Sequence, residues 1–190
     1  MTNLKSAMGA GALCLAMLAV PAGAVQSALR TRILLAAPDS GAAQEVSVNR
    51  TFFDGERFRL AVNSNQSGYL YVLCLTSQGD ARLLYPNQGS GNNRVSANSR
   101  RTLPERGWFR FDQEPGTEHV FVMVSRRPIP ELDDAAESGG ALDMSALDRF
   151  TESPARASTG GYDEYGTRGI EIEPDPAYNL NVLNLRHESR

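Results

Sequence analysis

The stretch GYLYVLCLTSQGDARLLYPN, residues 68–87, decides the fold. Its first run places Tyr69, Tyr71, Leu73 and Leu75 on one face of a strand, and Leu70, Val72 and Cys74 on the other. A strand that is apolar on both faces must be covered on both sides, so it belongs in the middle of the domain. The turn Ser77-Gln78-Gly79-Asp80 suits a short hairpin, which makes Arg82-Leu83-Leu84-Tyr85 the expected antiparallel partner. Pro86-Asn87 stops that partner.

Upstream, Phe58, Leu60 and Val62 alternate with Arg57, Arg59 and Ala61, the pattern of a half-buried strand entered through the turn Asp54-Gly55-Glu56. Residues 25–47 read as a weakly patterned lead-in. There Ile33-Leu34-Leu35 starts a strand that Pro38-Asp39-Ser40-Gly41 breaks. Downstream, residues 87–93 (NQGSGNN) are a loop, and 94–102 are polar and expected to cross an edge or an open end. Trp108-Phe109-Arg110-Phe111 makes a short strand, and Pro115-Gly116 a turn. Residues 119–125 (HVFVMVS) make a second strand apolar on both faces. Short strands separated by Gly, Pro and Asn predict an all-β protein, an antiparallel β-sandwich of immunoglobulin-like or related type, with its core in residues 25–128.

Residues 129–165 change character. They are acidic, rich in Gly, Ser, Ala and Pro, and read as a flexible, partly disordered insert. Leu142, Met144, Leu147 and Phe150 have near-helical spacing and predict a short amphipathic helix over about 141–150. It would either dock loosely on its own sheet or order on contact with a partner. Residues 166–190 return to β patterns, GIEIE at 169–173 and YNLNVLNL at 178–185, and are expected to complete the sheet.

Residues 1–24 have the form of a secretory signal peptide. Lys5 supplies the positive start, 7–20 a short apolar run, and Ala22-Gly23-Ala24 the small-x-small cleavage site after Pro21. Cys14 follows Leu13 inside that run, which argues against a lipoprotein. No later stretch predicts a transmembrane helix. Removing 24 of the 190 residues leaves 166, enough for one domain with its own core. Cys74 is then the remaining cysteine, so packing rather than an internal disulfide must hold this expected periplasmic or secreted protein together.

Charge is segregated. Residues 28–127 carry thirteen Arg against nine acids, while 128–175 carry three Arg against twelve acids. All basic side chains after Lys5 are arginines. Such asymmetry fits an acidic segment that touches its own basic domain or a basic partner, although a solvated flexible segment is the more common outcome. The acidic total and the lack of a dense basic stripe argue against nucleic acid.

Catalytic patterns are missing. His119 and His187 lie outside metal-ligand spacings, and Asp133-Asp134 and Asp163-Glu164 outside a calcium-loop pattern, so neither metal nor cofactor is expected. There is no GxSxG, and Gly89-Ser90-Gly91 lacks the phosphate-binding lysine. An enzyme is therefore not expected. Surface recognition remains. Arg94, Arg100, Arg101 and Arg106, with Tyr69 and Trp108, are the candidate binding surface, because guanidinium groups take carboxylate or phosphate bidentately.

In order along the chain come Phe53-Asp54-Gly55-Glu56 before an alternating strand, Gly68-Tyr69-Leu70-Tyr71-Val72, Leu84-Tyr85-Pro86-Asn87, Leu103-Pro104, and Glu114-Pro115-Gly116 before the strand at 120–125. Over roughly residues 50–128 this resembles the bacterial domain-of-unknown-function family 4384. The resemblance implies a compact β domain of exported proteins, also found beside signalling or caspase-like peptidase modules. It implies no catalytic residue. Together these features predict a non-catalytic binding or adaptor module, an accessory component of a cell-envelope or secretion assembly, with envelope proteins as partners. The alternative is a domain that binds peptidoglycan, another anionic glycan or a small anionic ligand. A hydrolase of unknown mechanism comes third.

Overall fold

The computed structural model describes residues 28–38, 40–151, 168–169 and 178–189. The expected leader, residues 152–165 of the acidic insert and residues 170–173 lie outside them. The order is β1 (Leu29–Ala36), β2 (Ala43–Val46), β3 (Phe52–Phe53), β4 (Arg57–Ser64), β5 (Gly68–Leu75), β6 (Ala81–Tyr85), β7 (Arg94–Val95), β8 (Arg100–Leu103), β9 (Phe109–Arg110) and β10 (Gly116–Ser125). Then follow α1 (Pro130–Glu137), β11 (Ala141–Leu142), α2 (Met144–Thr151), β12 (Arg168–Gly169) and β13 (Tyr178–Glu188).

Two sheets form. One runs β2-β1-β4-β8, with β9 also pairing β4; the other runs β11-β6-β5-β10-β13-β12, with β3 on β13 and β7 on β5. The pairings are antiparallel except β3 with β13, which is parallel. The chain is therefore β-rich and built as a sandwich, as its sequence predicts.

Strand β5 is interior and covered on both faces. Leu70, Val72 and Cys74 enter the core between the sheets, together with Ile33, Phe58, Leu60, Val62, Val120, Val122 and Leu185. Tyr71 and Leu73 face the other way and pack with Leu132, Ala135, Ala136 and Leu147 of the two helices. Full burial of a side chain of this size contributes about 1.5–3 kcal/mol, so both covers matter. The hairpin forms as expected: Gly79 has φ +88°, and the Thr76 amide donates to the Asp80 carbonyl at 2.9 Å. Strand β10 lies between β5 and β13 and is the second interior strand.

The structure adds detail to three of these expectations. The lead-in contains a full strand, β1, paired with β4 from Leu29↔Ser64 to Leu35↔Phe58. Its alternation begins earlier than Ile33: Leu29, Thr31 and Ile33 point inward while Arg30 and Arg32 point out. The polar stretch 94–102 does cross from one sheet to the other, and it contributes β7 and most of β8 on the way. The described part of the insert, residues 129–151, for which loose docking and ordering on a partner are the two expectations, packs as a third layer on its own sheet. Leu132 and Leu147 are fully buried, α1 precedes the expected helix, and α2 begins at Met144, because Leu142 is taken by β11.

No helix among the described residues is long and apolar enough to cross a membrane.

Candidate functional site

The outer face of the five-stranded sheet is built by strand parity. In β1, β4 and β8 the inward residues fill the core, so Arg30, Arg32, Arg57, Arg59 and Arg100 are left on the other side. Register aligns Arg30, Asn63 and Arg100 across three strands, and Arg32, Ala61 and Thr102 in the next rung. Arg30, Arg32, Asn63 and Arg100 surround a shallow depression of about 180 Å³ whose floor includes Ala61. The strand positions of this face carry one acid, Glu45, 3.4 Å from Arg32.

Trp108 sits at one corner of the same face. The Arg59 guanidinium lies over its ring at 4.5 Å, and that of Arg57 at 6.0 Å. Arg59 Nε also donates to the Gly107 carbonyl at 2.7 Å, which fixes the guanidinium against the ring.

The six side chains expected on one surface are distributed over several places. Arg100 and Trp108 belong to the arginine face. Tyr69 and Arg94 meet on the other sheet, where β7 pairs with β5 and the guanidinium lies 5.5 Å from the ring centre. Arg101, opposite Val62, turns toward the end of the sandwich. It donates to Tyr85 Oη at 3.2 Å and to the Asn92 carbonyl at 2.7 Å, and it pairs with Glu105 at 2.9 Å. The bond to Tyr85 raises its already high pKa, and the bonds to Tyr85, Asn92 and Glu105 make this half-buried guanidinium a tie on the loop before β7. Arg106 is exposed in the β8–β9 connection.

Arg30, Arg32, Arg57 and Arg59 join this surface without having been expected there. Their signal is alternation: each occupies the outward position of a strand whose inward positions are apolar.

A second constellation lies at one end between the sheets. His187, Glu118 and Cys74 occupy inward positions of β13, β10 and β5, and Asp54 and Asp112 approach from the connections beside β3 and β9. Cys74 Sγ lies 3.4 Å from Glu118 Oε2. Burial, and then the negative charge of Glu118, push the thiol far above its ordinary range. Asp112, Glu118 and Cys74 line a cavity of about 330 Å³ together with Phe109, Arg82 and Arg110. This cluster is absent from the expected site, because its members come from four separate parts of the chain. The available hint was that His187 shares strand parity with Leu183 and Leu185.

The two-sheet core with a helical cover defines the chain as a β-sandwich domain. Its motif-bearing segment resembles a known family: residues 51–128 match the family described as domain of unknown function (DUF4384). The match spans β3 to β10, and so omits β1, the helices and β13. No curated protein and no solved structure matches the chain.

Proposed function

We propose that this chain is a non-catalytic binding module that engages an acidic protein segment through the arginine face, as an accessory component of a bacterial cell-envelope or secretion assembly. The observation that carries the reading is the set Arg30, Arg32, Arg57, Arg59 and Arg100 on one sheet face, with Glu45 as the acid among the strand positions there. Closely spaced like charges raise the local potential and favour an anionic partner over bulk counter-ions. Arginine also suits carboxylates geometrically, because its planar fork makes two parallel hydrogen bonds. Export rests on the leader-like residues 1–24. The non-catalytic reading is supported by Cys74: a thiol pushed up by burial and by a neighbouring carboxylate is the reverse of an activated nucleophile.

A smaller anionic ligand, such as a muropeptide or acidic sugar, is the second reading, favoured by the depression between Arg30, Arg32, Asn63 and Arg100. One experiment separates the two. The mature protein and an Arg30→Glu/Arg100→Glu variant are cross-linked in the native envelope and captured, and both are heated with muropeptides. A discrete set of proteins captured by the wild type and lost in the variant, at unchanged thermal midpoint, supports the protein-binding reading. Empty capture with a saturable muropeptide shift moves the assignment to the ligand. Identical capture by both forms rejects the arginine face.

A further inference from the structure

We infer that Asp112, Glu118 and His187 form a binding site for a divalent transition cation of the zinc type, with Asp54 orienting the imidazole. The site lies on the inner side of the sandwich and stands independently of the arginine face.

The starting observation is a buried histidine, His187. The His187 side chain is fully buried and stacks on Phe111 at 5.2 Å between ring centres. Among the described residues neither ring nitrogen has a hydrogen-bond partner, and the buried Asp54 Oδ1 beside it has none either. Buried polar atoms left this way are costly, so such a group calls for an account.

The surroundings supply one. Nδ1 faces Asp54 Oδ1 at 3.7 Å, and Nε2 faces Glu118 Oε1 at 3.6 Å. A metal-ligating histidine characteristically directs its second N–H at a carboxylate, which selects the tautomer whose other nitrogen offers a lone pair. With the proton on Nδ1 toward Asp54, the Nε2 lone pair points at another acceptor, Glu118. Two acceptors face each other stably when a proton or a metal cation lies between them.

The third donor completes the set. Ligand atoms of Asp112, Glu118 and His187 all lie within 4.8 Å of one another. Bonds of about 2.0–2.2 Å in tetrahedral geometry require donors about 3.4 Å apart. The Glu118–His187 separation is already close to that, and Asp112, being exposed, can close the remainder by a side-chain rotation.

Glu118 Oε1 also accepts from the Ser77 amide at 3.4 Å, a contact that steadies the carboxylate toward the imidazole. Imidazole together with carboxylates selects zinc-type ions over magnesium and calcium, which take oxygen donors. Because Asp112 and Glu118 also line the cavity of about 330 Å³, a fourth coordination position can open to water there.

The test is titration of Zn²⁺ alone into the chelator-stripped full chain, followed by calorimetry and thermal melting. One Zn²⁺ per chain is expected, with a rise of about 5 °C or more in the thermal midpoint at saturating metal. Asp112→Asn keeps an oxygen for the Glu114 amide, from which Asp112 Oδ1 accepts at 3.0 Å, and so should weaken metal binding at least tenfold while keeping the metal-free midpoint. Asp54→Asn should weaken it by roughly 10–100-fold, the effect of losing the carboxylate behind a ligating histidine. Absence of zinc binding by the wild type overturns the site, as does equal binding by wild type and Asp112→Asn.

Discussion

Tyr71 reaches out of the interior sheet to Asp133: its hydroxyl donates to Oδ1 at 3.0 Å. Tyr71 Oη also accepts from the Ile129 amide at 2.9 Å, so one phenol fastens β5 to the entry of α1. Tyr71→Phe keeps the ring and leaves the Ile129 N–H and the Asp133 carboxylate without this partner. A loss of about 1–3 kcal/mol is expected in urea unfolding, with faster amide exchange in α1. Burial raises the phenol above its ordinary pKa, so the folded state holds this proton more tightly than the unfolded state does. The resulting stability is complete below the ordinary tyrosine range and is lost as pH rises through the folded value. The gap between wild type and Tyr71→Phe should therefore narrow above about pH 10.

Asp143 caps α2. Its Oδ1 accepts from the Ser145 hydroxyl at 2.7 Å and the Ala146 amide at 2.6 Å. The Ser145 bond, then the Ala146 bond, hold the carboxyl below the usual aspartate range. A depressed folded pKa contributes stability above the unfolded value, and this is lost as pH falls through the folded one. Asp143→Ala should lower the thermal midpoint and loosen α2 at neutral pH, and the difference should fade below about pH 4. A pH-independent difference would show that the carboxylate is not the capping group.

Which of these features could be read beforehand follows from how local each signal is. The two faces of β5 are written in seven consecutive residues, and the Gly79 turn in four. Helix α1 is harder because its buried residues are one leucine and two alanines, Leu132, Ala135 and Ala136, too small to make an apolar stripe. The usable signal was its start, Pro130 followed by Glu131 and Asp133 in the first turn. The arginine face needs the register between β1, β4 and β8, and the His187 cluster needs positions 54, 112, 118 and 187 brought together. Both depend on strand pairing, which periodicity alone does not specify.

Gly68 illustrates the same limit. A turn explains glycine at this position from sequence, yet it opens β5, and a Cβ there would lie 2.3 Å from the Ser125 carbonyl oxygen and 2.9 Å from Val124 Cγ1. The reason for glycine is the close approach of β10. Gly68→Ala must push the two interior strands apart and should destabilise by about 1–3 kcal/mol, with exchange accelerated along β5 and β10. Gly91→Ala, where an added Cβ meets nothing within 4 Å, is the matched control and should stay within about 0.5 kcal/mol.

Trp108 is the one tryptophan of the chain, which makes it a built-in reporter for the arginine face. Arg59 covers its ring and is held there by the Gly107 carbonyl. Arg59→Ala removes a cation–π contact of about 0.5–1 kcal/mol and a hydrogen bond, and uncovers the indole, so its emission should move to the red. In the wild type, an acidic chain such as polyglutamate competes for the same guanidinium groups and should change the emission saturably. The effect should collapse between about 0.01 M and 1 M salt, as the Debye length falls from about 30 Å to about 3 Å. Arg30→Glu/Arg100→Glu should abolish the titration without altering the starting spectrum, because both residues pair at Asn63, four positions along β4 from Arg59. Emission that stays flat in the wild type at low salt would rule out Arg59 and Trp108 as part of the binding surface.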